Sequence, residues 1–341
     1  MKVTILIATR SRSERLRRTL ESLFTEPNLR LDSWEVVVVF DDVAEDGSRE
    51  VCQIFRSKYP ERLRYFAQRK EGKSNALNLG IAAARGEVLA LTDDDVICDP
   101  GYIAGVQTVF ERYSVDGAQG RIFLDFEGGE PEWMSKELRG FMSSCDFGDQ
   151  IQSPFKRNLY GTNMAVRTEA ARAVGGFAPE LGAGAPVGFA EDTEFSMRLH
   201  WRGYRIIYAP YIVVYHQLPG KRMTRSFFRT RYFRMGRSRA YYQPFPTPLW
   251  RFGVYAVKNW IVSDVMSFWL RWNDRPADAL DCQCKARKVA GFFWQHYLFS
   301  RGVPRQLSRV TSWESLAAEV HEEIGRTKSD DTQIPLRATR G

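Results

Sequence analysis

The chain is poor in cysteine and histidine, with five and four among 341 residues, and it has no uncharged apolar run of the ~18 residues that a membrane span needs. Each shortage excludes something. Cys52, Cys98, Cys145, Cys282 and Cys284 are odd in number and mostly far apart, so no disulfide framework is implied. Cys282-x-Cys284 lacks both the two-residue gap and the second pair of a zinc site. Reduced thiols and a cytoplasmic location are expected. Met1 leads directly into an apolar strand, too short and wrongly flanked for a signal peptide, and no internal repeat is present.

Charge is unevenly spread. The formal net charge is +8, yet residues 217–310 carry eighteen Lys and Arg against four Asp and Glu, which leaves the remainder acidic on balance. Two electrostatically different regions share one chain, and its length allows a large core.

The first hundred residues alternate apolar runs with helical patterns. Runs at 2–8, 35–40, 63–67 and 88–92 read as strands, the second nearly all valine as for a strand buried on both faces. Ser11-x-x-Glu14 reads as a capping box for a helix to about Phe24, and further helices are expected from Asp46-Gly47-Ser48 to Tyr59 and over 74–84. Such alternation implies right-handed crossovers and a doubly wound, mostly parallel α/β sheet. Asp99-Pro100 reads as N-cap and first position of a helix over 102–113. Beyond Gly117, strands are expected at 118–126, 160–166, 205–209 and 211–216, with a helix capped by Thr168 and another from Glu191 to Trp201. Residues 181–189, rich in Gly, Ala and Pro, suit a loop beside a site. The rest is mainly helical. Over 252–270, Asn259, Ser263 and Ser267 stack on one face and most apolar residues on the other. The organisation expected is an α/β domain over 1–220, a basic helical region over 221–327 and a disordered tail over 328–341.

The most informative segment is Val88-Leu89-Ala90-Leu91-Thr92-Asp93-Asp94-Asp95. Three adjacent carboxylates repel one another, so a strand end that gathers them suits a cation. Mg²⁺ or Mn²⁺ bind one or two such oxygens and complete their shell with water and substrate phosphates. The crevice beyond strand ends is where open α/β sheets bind ligands. Asp41 and Asp42 end the second strand, and Glu191-Asp192 opens a helix behind the glycine-rich loop.

Together with Ile7-Ala8-Thr9-Arg10, Asp46-Gly47-Ser48, Gly72-Lys73-Ser74-Asn75-Ala76-Leu77-Asn78, Gly161-Thr162-Asn163-Met164-Ala165-Val166-Arg167, Gly175-Gly176-Phe177 and Glu191-Asp192-Thr193-Glu194-Phe195 with Arg198, these residues resemble the family 2 glycosyltransferases of the GT-A fold. The resemblance runs from Val3 to about His216. It implies an inverting hexosyltransferase that moves a sugar from a nucleotide diphosphate donor, a UDP-sugar foremost, to an acceptor hydroxyl in cell-envelope, polysaccharide or glycolipid synthesis; guanosine and thymidine diphosphates stay open. Asp41 would accept a base N–H, with Asp42 as its alternative, and Thr9, Arg10 and Lys73 would line the nucleotide site. Asp93 would hold ribose or a metal-bound water. Asp95 would ligate the divalent cation with His216 as a second ligand, and Asp94 leaves that assignment open by one residue. Asp192 would be the general base, while Glu191, Asn163 and Arg198 would position the loop or the acceptor, with an ion pair to a nearby acid as the alternative role of Arg198.

Rival readings are a haloacid-dehalogenase-type phosphohydrolase, which wants its Asp-x-Asp on the first strand, a nucleotidyltransferase, which wants a glycine-rich loop absent from Thr9-Arg10-Ser11-Arg12-Ser13, and a non-catalytic nucleotide-sugar or glycan-binding protein. The basic, aromatic stretch over 222–243 carries no nucleic-acid motif. Peripheral association with an anionic membrane at its inner face, presenting a lipid-linked or glycan acceptor, is the functional reading preferred for it.

Overall fold

The computed structural model describes residues 2–41, 47–243 and 248–333. Asp42, Asp46 and most of the expected tail lie outside the described residues. The strands are β1 (Val3–Thr9), β2 (Trp34–Asp41), β3 (Leu63–Gln68), β4 (Val88–Asp93), β5 (Val96–Cys98), β6 (Gly117–Phe126), β7 (Asn163–Arg167) and β8 (Ile206–Leu218). The helices are α1 (Ser13–Leu23), α2 (Glu26–Leu29), α3 (Ser48–Lys58), α4 (Lys73–Ala83), α5 (Tyr102–Arg112), α6 (Lys136–Phe141), α7 (Thr168–Ala173), α8 (Glu191–Trp201), α9 (Arg225–Tyr242), α10 (Leu249–Trp272), α11 (Pro276–Ser300) and α12 (Trp313–Gln333).

One sheet runs in the order β3-β2-β1-β4-β7-β6-β8-β5. The alternating first half builds its parallel part, β3-β2-β1-β4. Val36, Val37, Val38 and Val39 have no exposed surface, because helices cover both faces of a parallel sheet. The second half makes the sheet mixed, since β7 runs antiparallel to both β4 and β6, and β5 antiparallel to β8, while β6 and β8 are parallel. The two short strands expected over 205–216 are one strand, β8, whose pairing with β6 shifts register between Gly120 and Arg121.

Three expected caps are absent. Ser11 takes a left-handed φ of 56° and α1 begins at Ser13, so no capping box forms. Asp99 accepts a hydrogen bond from the Gly101 N–H, a local turn that precedes α5. The Thr168 hydroxyl donates to the Gly86 carbonyl, stitching α7 to the loop that leads into β4. Asp99 and Thr168 bond to other backbone groups, and the left-handed backbone of Ser11 turns it out of the capping position.

The basic helices dock on the sheet's far end. Met134, Leu138, Met142, Leu218, Phe228, Tyr232, Leu280 and Cys284 form a second core joining α6, β8, α9 and α11. Helices α9 and α11 cross backbone to backbone: a Cβ at Gly236 would lie 1.9 Å from the Lys288 carbonyl, and one at Gly291 1.9 Å from that of Phe233. The polar stripe of α10 points inward. Ser263 and Ser267 are buried with Ala256 and Leu270, and large apolar side chains face outward.

Candidate functional site

Beta strands β1 and β4 pair so that Ala8 lies beside Asp93, which puts Thr9 at the head of the acidic triplet. Each acid has its own partner. The Thr9 hydroxyl donates to Asp94 Oδ2 at 2.6 Å, and Arg12 Nη1 donates to Asp94 Oδ1 at 2.8 Å and to Asp95 Oδ2 at 2.9 Å. Lys73 Nζ, at the start of α4, lies 2.5 Å from Asp93 Oδ1, and the Thr162 hydroxyl donates to Asp93 Oδ2 at 2.8 Å. Arg222 Nη1 stands 3.3 Å and His216 Nε2 3.5 Å from Asp95.

These partners set the charge states. Burial works against ionised Asp93, but the Lys73 ammonium outweighs it and holds the carboxyl below its ordinary value. Asp94 is pushed up to about 6 by burial, with Arg12 opposing and Asp95 adding to the rise. Asp95 is held well below the usual carboxylate range because His216, Arg12 and Arg222 together overcome its burial. His216 is raised in turn: burial lowers it, and the hydrogen bond and charge of Asp95 prevail. Its Nδ1 lies 3.0 Å from the Met142 carbonyl. A carbonyl only accepts, so the Nδ1 carries the proton and Nε2 faces Asp95.

The same cleft reaches the second acidic pair. Lys73 Nζ lies 3.4 Å from Glu191 Oε1, so one ammonium spans the end of β4 and the start of α8. Asp192 accepts hydrogen bonds from the Gly161 N–H at 3.1 Å and the Thr193 N–H at 2.6 Å. Burial first, then the charge of Glu191, push Asp192 up to about 6 against those bonds and Lys73.

Thr9, Arg10, Lys73, Asp93, Asp94, Asp95, Glu191, Asp192 and His216 all line one cleft of about 1050 Å³. Asp41, buried at the end of β2, is not among the lining residues but is paired with one that is, Arg10, whose Nε lies 3.1 Å from its Oδ2. Two residues fall elsewhere. Asn163 donates to the carbonyls of Arg121 and Ile212, tying β7 to β6 and β8 from within the sheet. Arg198 pairs with Glu194 and donates to the carbonyls of Val174 and Gly176. It therefore fixes the turn after α7 rather than lining the cleft.

Sequence reading missed the cations that answer the triplet, Arg12 and Arg222. It also missed the cleft's other wall, where Phe141, Phe189, Phe227, Arg231, Tyr232, Met235, Arg239, Tyr242 and Lys288 gather. Arg231 lies over the rings of Phe189 at 4.8 Å and Phe227 at 5.8 Å, and its Nε is buried with no hydrogen-bond partner among the described residues. Burial pushes Tyr242 up to about 12, with the charge of Asp192 adding to the rise. The only sequence signal for this wall was the interleaving of arginine with aromatics.

The family model described as glycosyl transferase family 2 matches residues 4–175. A protein described as an uncharacterised glycosyltransferase of Nostoc is 28% identical over 117 residues, 34% of this chain and 35% of that one. The match thus spans about a third of that relative's length. The glucosyl-dolichyl phosphate glucuronosyltransferase of Haloferax volcanii is 25% identical over 226 residues, 64% of this chain and 70% of its own. Among solved structures, a mannosyltransferase of Pyrobaculum calidifontis in complex with GDP-Man and Mn²⁺ superposes with a TM-score of 0.53 at 16% identity, covering 96% of this chain and 83% of that one. That likeness is one of fold.

Proposed function

The chain belongs to glycosyl transferase family 2, and from that premise we propose that it transfers a sugar, with inversion, from a nucleotide diphosphate donor to an acceptor hydroxyl in polysaccharide or glycolipid synthesis. The observation that carries this reading is that Asp95 and Asp192, far apart in sequence, line one cleft with Lys73 between their neighbours. Among relatives and fold neighbours, the Haloferax protein is named for glucuronosyl transfer involving a dolichyl phosphate and the Pyrobaculum structure holds GDP-Man and Mn²⁺. A UDP-sugar is the donor we favour here, and a lipid-linked glycan at an anionic membrane surface the acceptor.

Asp41, held by Arg10, accepts an N–H of the base, and Thr9 and Arg10 border the nucleotide. Asp93 faces ribose. The residues present fit a divalent cation: Asp95 offers oxygen, and His216, with Nδ1 tied to Met142, turns Nε2 toward it, the outer support typical of a ligating histidine. Among the described residues no three His, Cys, Asp or Glu side chains form a complete cage, and Mg²⁺ and Mn²⁺ commonly take the rest of their shell from water and phosphate. When bound there, the ion supplies Lewis-acid neutralisation of the leaving diphosphate. Arg12 and Arg222 add fixed positive charge beside it.

On the other side of the sugar, Asp192 takes the proton of the acceptor hydroxyl as its oxygen bonds to the anomeric carbon, and the bond from that carbon to the diphosphate breaks with its electron pair. Arg231, half-buried and stacked, with a buried Nε that has no hydrogen-bond partner among the described residues, is held for an anionic group on the acceptor. Hydrolysis or transfer from a panel of sugar nucleotides, with and without Mn²⁺, tests the reading. Turnover that Asp192→Asn removes supports it, whereas donor binding without any turnover makes the protein a nucleotide-sugar-binding module instead.

A further inference from the structure

Helix α10 is built inside out for water. Its buried side is Ala256, Ser263, Ser267 and Leu270, set against α11, where Cys282 Sγ lies 3.9 Å from the Ser263 carbonyl. Its outer side carries Val254, Val257, Ile261, Val265 and Phe268 at steps of three and four residues, one continuous stripe. A tryptophan closes it at either end: Trp250 is 68% exposed and Trp272 81%. A helix that faces water normally turns such a stripe to the core, and a contiguous apolar patch of this kind marks a surface that something covers.

We propose that this stripe lies in the interfacial layer of a lipid bilayer, with α10 parallel to the membrane plane. The helix has 24 residues, about 36 Å at 1.5 Å per residue. Lys258 and Asp264, both exposed, sit in its middle. In a spanning helix they would lie in hydrocarbon, while in an in-plane helix they reach up to water along the margins of the stripe. Small residues on the α11 side and bulky apolar ones outside are the packing that lipid, not water, favours. Terminal tryptophans are the side chains that settle at the headgroup level.

Charge decides between lipid and a second copy of this chain. The neighbouring α9 has six arginines and no acid, and residues 217–310 have eighteen basic against four acidic side chains. Two copies paired through the stripe would bring two such regions together. Anionic headgroups would be attracted to each. The seat also serves the cleft, because α10 packs on α11 and α11 on α9, and α9 and α11 supply Tyr232, Met235, Arg239, Tyr242 and Lys288 to its wall. A lipid-linked acceptor would thus meet Asp192 from the membrane side, which rests on the glycosyl-transfer reading; the insertion itself does not.

The test is flotation of the full chain with vesicles of phosphatidylcholine containing a minor share of phosphatidylglycerol, at low and at molar salt. The chain should float with them, stay bound in molar salt and shift its tryptophan emission to the blue. The triple variant Val257→Glu, Ile261→Glu, Val265→Glu should lower partitioning by about a hundredfold or more, with circular dichroism and donor hydrolysis unchanged, since these side chains are exposed. A chain that stays in the aqueous phase overturns the proposal, as does one that salt releases completely, which is surface charge alone. A lipid-free dimer that the triple variant dissolves also overturns it, in favour of a second copy. Salt-resistant flotation without hydrolysis of any sugar nucleotide would sink the enzymatic reading and leave the membrane seat standing.

Discussion

Lys73 Nζ stands 2.5 Å from Asp93 Oδ1, and the same ammonium reaches Glu191 Oε1 at 3.4 Å. One cation at the start of a helix therefore ties the acids that end β4 to those that begin α8. Without it the cleft's five neighbouring carboxylates would lose the cation that stands between the two groups of acids, leaving Arg12, Arg222 and His216 on the triplet and Arg231 near Glu191.

Lys73→Gln removes a charge that lowers the Asp192 pKa. The acidic limb of the pH–rate profile should then move above its wild-type position, read as kcat/KM against pH. Stability at neutral pH should fall by about 1–3 kcal/mol, less than for a fully buried pair because Lys73 is partly exposed. An unmoved limb would mean that Lys73 does not act on the base.

Asp192→Asn should lower kcat by about 10²- to 10⁴-fold and leave donor binding intact. The base works only when ionised, and Asp192 is pushed up to about 6, so kcat/KM of the wild type should decline as pH falls through about 6. Glu191→Gln removes a charge that raises that value and should move the limb to lower pH. A Glu191 variant with the limb in place would assign it to another group.

Removal of divalent cations with a chelator should suppress turnover and Mn²⁺ or Mg²⁺ restore it. His216→Ala should raise the metal concentration for half-maximal activity by at least about tenfold. If His216→Ala leaves that concentration unchanged, the histidine is no ligand and serves only the Asp95 carboxylate.

Arg231→Gln should raise KM for an anionic acceptor probe such as farnesyl phosphate by about tenfold or more while leaving KM for the donor unmoved. Farnesol, which lacks the anion, should show no such change. A rise in donor KM instead would assign Arg231 to the diphosphate.

Gly291→Ala places a methyl group 1.9 Å from the Phe233 carbonyl. Separation of α9 from α11 should cost about 3 kcal/mol or more, seen as a lower midpoint in thermal unfolding. A midpoint equal to wild type would mean that the helices are not in backbone contact.

The parallel half of the sheet was legible because β1 to β4 are apolar runs separated by helical patterns, and a strand buried on both faces leaves that mark on composition. The acidic triplet was legible because like charges cannot adjoin at a strand end without an answering cation. The caps were not. Ser11, Asp99 and Thr168 carry the right hydroxyls and carboxylate for capping, but closer backbone groups or a left-handed turn claimed the positions.

By itself, the sequence determined the periodicities and the acids, which are local properties of neighbouring residues. Only the tertiary structure decided which cations meet those acids and which way a two-faced helix turns. Arg222 reaches Asp95 across 127 residues of chain, a distance over which no spacing rule operates. The stripe on α10 is equally periodic whether it faces core or solvent. Its sign is fixed by the small residues that let α10 and α11 approach closely, and those are contacts between elements that a pattern within one element cannot encode.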